Sequence, residues 1–410
     1  MAETLEGEAK RLYDQGRFQD LFALSVGRIK ANPQDVPAWL FAAVAAALLG
    51  DRQAYLHLHE QAHHVGGAIA TCRNSLTFLL DNEEYDVLIA TVRDIPRDNV
   101  LWIIAQYYIG CALIMTGEVQ SGLGYLDQVK QSWQLYRNHI DFFGGLNVML
   151  RQALTVAGAE EVARRRAQPV TLAPLEFVGP PLGPQGIVLA AANNLYFNAL
   201  GGCFVDNMMP MLGPHGLHMH VVAPDDSTRA VMADLLARYP GRVAFSLEEA
   251  PPFTTTTYFA CARFFAIDRA KAFHGTAEAL SFDIDITPLF PVEDFFRLGD
   301  GIDFACFRMK RNEPASFYQA SIMYWGGGEK TRTFLSALQA FCWPKLGENP
   351  GLTWLLDQAA LFSVLESGLA DLELNVGDFS RMTGKTMHGC TRPIASEEAK
   401  NALFAGVSSR

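Results

Sequence analysis

The feature that most constrains the fold of this chain is a turn that recurs near the N-terminus at intervals of 34, 33 and 34 residues. Four similar stretches carry it: YDQGRFQDLFAL, LLGDRQAYLHL, LLDNEEYDVLIA and IMTGEVQSGLGY, with turn residues Gly16, Gly50, Glu83 and Gly117. An apolar-periodic stretch precedes each turn and another follows it, which indicates helix–turn–helix units. The first part of the chain is therefore predicted to be an array of paired helices.

This spacing resembles the tetratricopeptide repeat, a helix–turn–helix unit of about 34 residues. The resemblance covers residues 5–135, and it departs from the usual pattern at Glu83, which stands where the repeat has glycine. It implies three to four repeat units within an all-α domain at residues 1–163. Arrays of this kind present a concave surface, so the resemblance also implies a peptide or protein partner.

The stretch HEQAHHVGGAI raises a different possibility, because His59, Glu60 and His63 match the start of the zinc-peptidase pattern HExxHxxGxxH. Two histidines four residues apart share one face of a helix, as such a site requires. The third histidine of the long pattern is absent, since position 69 is Ile69. We interpret the stretch as a packed helix of the second repeat unit and keep a zinc peptidase as a remote alternative.

Composition and charge limit the classes of partner. The formal net charge of −11 argues against nucleic acid and anionic membranes, which both favour a basic protein face. No signal-peptide pattern is visible, and the most apolar window, VPAWLFAAVAAALLG, is too short to span a bilayer. Seven cysteines occur singly, without CxxC, as expected for free thiols in a reducing compartment. A cytoplasmic protein without a membrane span is therefore expected.

The second half of the chain has a different pattern. Residues 164–184, RRRAQPVTLAPLEFVGPPLGP, are proline-rich and are predicted to be a linker, with Arg164–Arg166 as a solvated helix end. From 185 to 410, the apolar runs GIVLAAANN, GLHMHVV, RVAFSLEE and EALSFDID alternate with helical stretches. This alternation predicts an α/β domain with a mainly parallel sheet. Ligands of such sheets bind at the carboxyl ends of strands, where Asn193, Asn194 and Asp225 are expected.

The stretch SFDIDITPLFP carries the chemistry that we consider most informative. Asp283 and Asp285 lie two residues apart at the end of an apolar strand, so they share a face in extended chain. Two neighbouring carboxylates repel each other, and a divalent cation with a preference for oxygen ligands, Mn²⁺ or Mg²⁺, would relieve that repulsion. The DxD pattern is short, so a solvated strand end remains the alternative.

The surrounding sequence resembles the nucleotide-sugar-binding core of glycosyltransferases with the GT-A fold. An aromatic-rich helix with Arg263, in YFACARFFAIDRA, precedes the DxD strand, and FYQASIMYW, at 317–325, follows it. The later stretches TWLLDQAALFSVLES and MTGKTMHGCTRP carry Asp357, Gln358 and His388. The resemblance covers residues 186–395 and implies a GT-A domain at 185–410. Two departures are that His388 directly precedes Gly389, and that Arg392 stands where lysine is common.

The resemblance implies a metal-dependent transferase that moves a sugar from a nucleotide-diphosphate-sugar, most often a UDP-sugar, to a protein or glycan acceptor. Mn²⁺ or Mg²⁺ would be the cofactor. The resemblance implies that the metal is bound by Asp283, Asp285 and His388, with binding of the ribose as an alternative role for Asp283. It implies that the diphosphate is stabilised by Arg263, Lys385 and Arg392, and that the nucleoside is bound by Asn193, Asn194 and Tyr196. The implied catalytic pair, which faces the sugar or the acceptor, is Asp357 with Gln358.

Other interpretations of the same residues stay open. Arg263 could pair with Asp268 on its own helix, Asp357 could be an ordinary helix acid, and Asn193-Asn194 could form a turn. A repeat adaptor with a degenerate transferase domain is the second functional hypothesis, and pairing of repeat arrays into a homo-oligomer is allowed. The sequence does not distinguish retention from inversion at the sugar; Asp357 or Asp303 could be the base of an inverting enzyme.

Overall fold

The computed structural model describes residues 5–64, 68–99, 101–136, 155–168, 170–251, 256–309, 313–348, 355–368 and 372–395. The chain forms two compact units. The first comprises Met1–Leu154 with Lys310–Pro314, and the second comprises Thr155–Met309 with Ala315–Arg410. The division at 154/155 lies before the boundary at 163 that the sequence predicted.

The described part of the first unit is helical: α1 (Leu5–Asp14), α2 (Phe18–Ala31), α3 (Val36–Leu48), α4 (Arg52–His64), α5 (Ala68–Asp81), α6 (Tyr85–Val92), α7 (Trp102–Met115) and α8 (Val119–Tyr136). Each helix contacts the next, and α1, α3, α5 and α7 also contact each other in succession. A helical N-terminal region is therefore confirmed, whereas membership of the tetratricopeptide family stays a prediction.

The four predicted turn residues all adopt the left-handed backbone conformation. Their φ angles are +67° at Gly16, +71° at Gly50, +64° at Glu83 and +91° at Gly117. In each turn the N–H of the next residue donates to a carbonyl five residues earlier: Arg17 to Leu12, Asp51 to Ala46, Glu84 to Leu79 and Glu118 to Leu113. This is the Schellman arrangement that ends helices, and it explains why glycine recurs at three of the four positions.

The exposed Glu83 carries a side chain in a conformation that favours glycine, so Glu83→Gly should stabilise the protein by about 0.5–1 kcal/mol. Gly50→Ala is the matched control, because an added Cβ there meets nothing within 4 Å and its cost is conformational. It should destabilise by about 1 kcal/mol. Urea unfolding of both variants measures the two changes; equal stability of Glu83→Gly and wild type would contradict the assignment.

His59 lies in α4 and is 2% exposed, with its ring 4.4 Å from that of Tyr55 in an edge-on contact. The side chain of His63, the second histidine of the zinc pattern, falls outside the described residues. The burial of His59 within the helix agrees with a packed repeat helix. In the described part of the chain, no three His, Cys, Asp or Glu side chains form a group that could hold a metal ion.

The second unit contains an eight-stranded sheet with the order β1-β4-β3-β2-β5-β8-β7-β9. Pairs β2–β3, β3–β4, β2–β5 and β7–β9 are parallel, whereas β1–β4, β5–β8 and β7–β8 are antiparallel. A separate antiparallel ribbon joins β6 and β10. The strands are β1 (Glu176–Val178), β2 (Ile187–Asn193), β3 (Gly216–Val222), β4 (Val243–Glu248), β5 (Ala279–Asp283), β6 (Ile286–Pro288), β7 (Phe304–Arg308), β8 (Tyr318–Trp325), β9 (Val376–Asp378) and β10 (Thr391–Pro393).

Helices cover this sheet: α9 (Ala159–Arg166), α10 (Asn194–Tyr196), α11 (Gly202–Met208), α12 (Asp226–Arg238), α13 (Thr256–His274), α14 (Val292–Leu298), α15 (Pro314–Phe317), α16 (Glu329–Glu348), α17 (Leu356–Ser363), α18 (Phe379–Thr383) and α19 (Met387–Cys390). Alternate strand residues, such as Met219 and Phe245, join Phe204 and Phe295 in one apolar core. Helix α13 packs on β2, β3 and β5. The predicted α/β unit with a mainly parallel sheet is confirmed.

The predicted linker at 164–184 contains regular structure. Its first residues belong to α9, and β1 pairs with β4. Arg165 is 4% exposed, and its guanidinium lies 2.8 Å from Glu161 and 3.0 Å from Glu348. The prediction of a solvated helix end is wrong for Arg165, because its partner Glu348 lies far away in sequence on α16.

Candidate functional site

The parallel strands bring the predicted site residues to one edge of the sheet. Ala191 of β2 lies opposite Asp283 of β5, and Asn193 lies opposite Val222 of β3. Asp225 follows β3 directly, as the N-cap of α12. The carboxyl ends of β2, β3 and β5 therefore carry Asn193, Asp225 and Asp283 side by side, at the edge where such sheets bind ligands.

Arg263 joins three elements at this edge. Its guanidinium lies 2.6 Å from the Asp283 carboxylate at the end of β5 and 3.9 Å from Asp357, in the first turn of α17. It also donates to the carbonyls of Ala320 on β8, at 2.6 Å, and Ala260 on α13, at 2.8 Å. Arg263 and Asp357 are both buried. One arginine thus holds together two strands and two helices.

This geometry gives Arg263 a structural role. Each guanidinium nitrogen has a protein partner, so the arginine is a counter-charge to Asp283, and its contact with a diphosphate stays a prediction. Among the described residues, Arg263 pairs with Asp283 and Asp357, and the cation near Asp268 is instead Lys271, at 3.9 Å. Burial raises the pKa of Asp357, Arg263 lowers it, and the neighbouring Asp283 raises it further. Arg263 therefore balances charge between Asp283 and Asp357, a different pair from the Asp283 and Asp285 for which the sequence suggested a metal.

Replacing Arg263 with methionine should reduce the free energy of unfolding by about 3 kcal/mol, because two carboxylates then share a buried site without a cation. Adding Asp357→Asn to this variant should restore part of the loss. Chemical denaturation at pH 7 measures both effects. Arg229→Met, which breaks an exposed pair with Glu176, is the control and should change stability little. A loss as small as that of the control would contradict the assigned role.

The ribbon of β6 and β10 brings the C-terminal motif onto the DxD turn. Arg392 lies opposite Thr287, and the N–H of Ile394 donates to the carbonyl oxygen of Asp285 at 2.8 Å. The guanidinium of Arg392 also reaches Asn207, at 3.1 Å. His388 is exposed on the short helix α19, immediately before β10. Segments about a hundred residues apart in sequence are thus hydrogen-bonded neighbours.

Lys385 lies in the same C-terminal segment. Its ammonium lies 4.0 Å from the centre of the Phe290 ring, a cation–π contact. A cavity of about 150 Å³ is lined by Phe290, Asp294, Phe295, Leu298, Thr383 and Lys385. The cation is exposed.

The asparagines after β2 form an ordered cluster. The side-chain oxygen of Asn193 accepts the N–H of Tyr196 at 2.8 Å and caps α10. The amide of Asn194 donates to Asp225 at 2.9 Å, and that of Asn198 at 3.2 Å. Hydrogen bonds, above all from the N–H of Thr228, lower the pKa of Asp225. Sequence reasoning missed Asn198, although its position one helical turn after Asn194 was a visible signal.

Sequence reasoning also missed a buried polar chain between the sheet and α13. His218 and His220 of β3, Ser246 and Glu248 of β4, and Tyr258 and His274 of α13 are hydrogen-bonded in series at 2.7–3.0 Å. All except Tyr258 and His274 come from alternate residues of two strands, so they share one face. The alternation of histidine with apolar residues in GLHMHVV was the available signal.

Burial lowers the pKa of His274 from 6.5 to about 4, and it lowers the pKa of His218 as well. Below pH 6.5, these two histidines are therefore protonated in the unfolded chain but stay neutral in the folded protein until the pH is much lower. The free energy of unfolding should fall as pH decreases from about 6.5 towards 4, by up to about 1.4 kcal/mol per pH unit for each histidine.

Urea unfolding at pH 7, 6 and 5 measures this dependence. His274→Gln should show a shallower slope than wild type, because one of the two titrating groups is gone. A wild-type stability that is constant or rises between pH 7 and 5 would show that these histidines are not buried in neutral form.

No family model and no curated protein matches this sequence. Solved structures similar to it are glycosyltransferases. They include the apo structure of the bifunctional enzyme WbbM, at 11% identity and a TM-score of 0.33, covering 58% of this chain and 46% of that one. The chain thus spans less than half of WbbM.

The galactosyltransferase LgtC, in complex with donor and acceptor sugar analogues, has 16% identity and a TM-score of 0.31, over 48% of this chain and 74% of its own. The mannosyltransferase PcManGT from Pyrobaculum calidifontis, in complex with GDP-Man and Mn²⁺, has 13% identity and a TM-score of 0.25, over 52% and 83%. Likeness at this level carries no conclusion about function, which depends on the site itself. No described helix is both long and apolar enough to cross a bilayer.

Proposed function

We propose that this protein is a metal-dependent glycosyltransferase that moves a sugar from a nucleotide-diphosphate-sugar to an acceptor. The observation that carries the proposal is the β6–β10 ribbon, in which the backbone of Ile394 is hydrogen-bonded to that of Asp285. The ribbon joins the chain that follows the acidic turn to the C-terminal segment that contains His388, Lys385 and Arg392. A metal–diphosphate group needs this combination of charges.

Asp285 and His388 are the residues that would hold Mn²⁺ or Mg²⁺. Asp283 has Arg263 as its counter-charge at 2.6 Å, and Asp285 lies two residues later, between β5 and β6. Two protein ligands suit these ions when substrate phosphates and water complete the coordination. When bound, the ion would neutralise negative charge on the diphosphate leaving group.

Other residues of the chain would bind and orient the donor. Lys385 and Arg392 carry cations on the segment that contains His388, and they would contact the diphosphate, Arg392 with its planar fork. Asn193, Asn194 and Tyr196, at the end of β2, would bind the nucleoside, with uridine as the base that the resemblance favours. These groups orient the donor at the strand ends.

Asp357 and Gln358 would face the transferred sugar or the acceptor. Asp357 is buried beside Arg263, and its carboxylate would accept a hydrogen bond from a hydroxyl group of the sugar or acceptor. The side-chain oxygen of Gln358 is buried and accepts no hydrogen bond from the described residues, so it is an acceptor for a ligand hydroxyl. Asp357 lies 3.9 Å from Arg263, which contacts Asp283 at the strand end where the donor is expected, and Gln358 follows Asp357 in α17.

The first unit supports recruitment of an acceptor protein. A groove of about 330 Å³ is lined by residues of α1, α3 and α5, the first helices of three successive pairs; they are Glu6, Lys10, Val36, Pro37, Leu40, Phe41, Asn74 and Phe78. The lining is mostly apolar, and Val36 is 48% exposed. An extended apolar segment of a protein would fit it. The same groove is the observation that favours the second candidate function, an adaptor without catalysis.

Calorimetric titration of UDP and GDP with Mn²⁺ tests the proposal. Asp285→Asn should weaken nucleotide binding at least tenfold, about 1.4 kcal/mol, and His388→Ala should act in the same direction. Asp234→Asn is the control, because that acid is exposed and paired with Arg238 on α12. Absence of metal-dependent binding for UDP, GDP and the remaining nucleoside diphosphates would refute the transferase and favour the adaptor.

A further inference from the structure

We propose that the buried chain of His274, His218, Ser246, His220, Glu248 and Tyr258 is a hydrogen-bond relay, directed from both of its ends towards Glu248, that clamps α13 at both ends and so positions Arg263. These are positioning residues for the donor site, which they do not touch. The inference rests on the proposed function in its last step, the effect on nucleotide binding. The relay and the clamp stand on geometry alone.

The direction of the relay follows from its first member. The backbone N–H of Leu182 donates to Nδ1 of His274 at 3.0 Å, so that nitrogen carries no proton. The proton of His274 is then on Nε2, which donates to Nδ1 of His218 at 2.9 Å. His218 must in turn carry its proton on Nε2, which donates to the hydroxyl oxygen of Ser246 at 2.8 Å. Both imidazoles are neutral, with the same tautomer.

The second half of the relay ends on a carboxylate. The hydroxyl of Ser246 donates to Nδ1 of His220 at 2.9 Å, and Nε2 of His220 donates to Glu248 at 3.0 Å. The hydroxyl of Tyr258 donates to the other oxygen of Glu248 at 2.7 Å. Four groups thus accept one hydrogen bond and donate one, namely His274, His218, Ser246 and His220, while the carboxylate of Glu248 accepts from both His220 and Tyr258. If the hydrogen bonds ran in the opposite direction, His274 would carry its proton on Nδ1, where it would face the N–H of Leu182.

The relay holds α13 at two distant points. Tyr258 lies in the first turn of α13 and His274 is its last residue, about 24 Å away along the axis at 1.5 Å per residue. Arg263 lies between these points and contacts Asp283 on β5. A helix fixed at both ends cannot slide along the sheet, so the distance from Arg263 to Asp283 is fixed as well.

The titratable groups around the relay are compatible with neutral imidazoles at His218, His220 and His274. The titratable groups that face it are Glu248 from β4 and Tyr258, Arg269 and His274 from α13. Arg269 is the nearby cation, with its guanidinium donating to the carbonyls of Phe265 and Ala173. The carboxylate of Glu248 accepts hydrogen bonds from neutral His220 and from Tyr258, so the relay is complete without a second proton on any imidazole.

Nitrogen-15 spectra of histidine-labelled protein at pH 7 test the direction. His218, His220 and His274 should each show a neutral ring with the proton on Nε2. A ring among these three that is doubly protonated, or that carries its proton on Nδ1, would overturn the relay. Assignment by His218→Gln, His220→Gln and His274→Gln identifies the three signals.

Ser246→Ala tests the clamp, because it removes the hydroxyl that must accept and donate at once. Val243→Ala is the matched control: it lies on the same strand, is fully buried, and faces the opposite core. Both variants lose stability, but Ser246→Ala alone should speed hydrogen exchange of the α13 amides near Arg263, at least tenfold relative to the control. It should also weaken binding of the nucleoside diphosphate with Mn²⁺ about fivefold or more.

Equal hydrogen-exchange rates and equal nucleotide affinity in the two variants would show that the network only stabilises the fold, and would overturn the clamp. Faster exchange without a change in affinity would refute the positioning of the donor site. If wild type itself binds no nucleoside diphosphate, the proposed function fails, and the exchange comparison still decides whether α13 is clamped.

Discussion

The second unit depends on one buried ion cluster, in which Arg263 neutralises Asp283 and faces Asp357. Two acids at the edge of a sheet would repel each other and avoid burial, so the sheet end could not close around them without a cation. The arginine also donates to the backbone of β8, which fixes α13 against β5 and β8 in one contact. The packing of α13, β5 and β8 at this edge of the sheet thus follows from the need to balance the charge of buried carboxylates.

The chemistry at this edge depends on a second long-range constraint, the β6–β10 ribbon. Backbone hydrogen bonds join Asp285 to Ile394 and Leu289 to Cys390, so the C-terminal segment cannot leave the DxD turn without losing them. The turn carries the two aspartates, and the segment that is hydrogen-bonded to the chain after it carries His388, Lys385 and Arg392. The proposed site for a metal and a diphosphate rests on these residues, and the helices of the first unit carry a groove of their own, lined by α1, α3 and α5.

Much of the architecture was predictable because local rules decide it. The left-handed turns could be located from glycine spacing alone, and even Glu83 follows the same geometry. Strand–helix alternation gave the α/β unit, and polar residues at strand ends gave Asn193, Asp225 and Asp283. The role of Arg263 could not be predicted, since its partner lies on another element; neither could the burial of Arg165, whose partner Glu348 is 58% exposed on a distant helix.

The sequence by itself determined periodicity, turn chemistry and the residue types at strand ends, because these depend on neighbours within a few positions. The tertiary structure alone decided which charges meet: Arg263 with Asp283 rather than Asp268, Asn198 with Asp225, and the histidines of β3 with Glu248 and α13. Pairing of this kind depends on how strands are ordered and how helices pack across them. The spacing of residues in the sequence determines which face of a helix or strand each side chain occupies, whereas the tertiary fold determines which residues lie opposite that face.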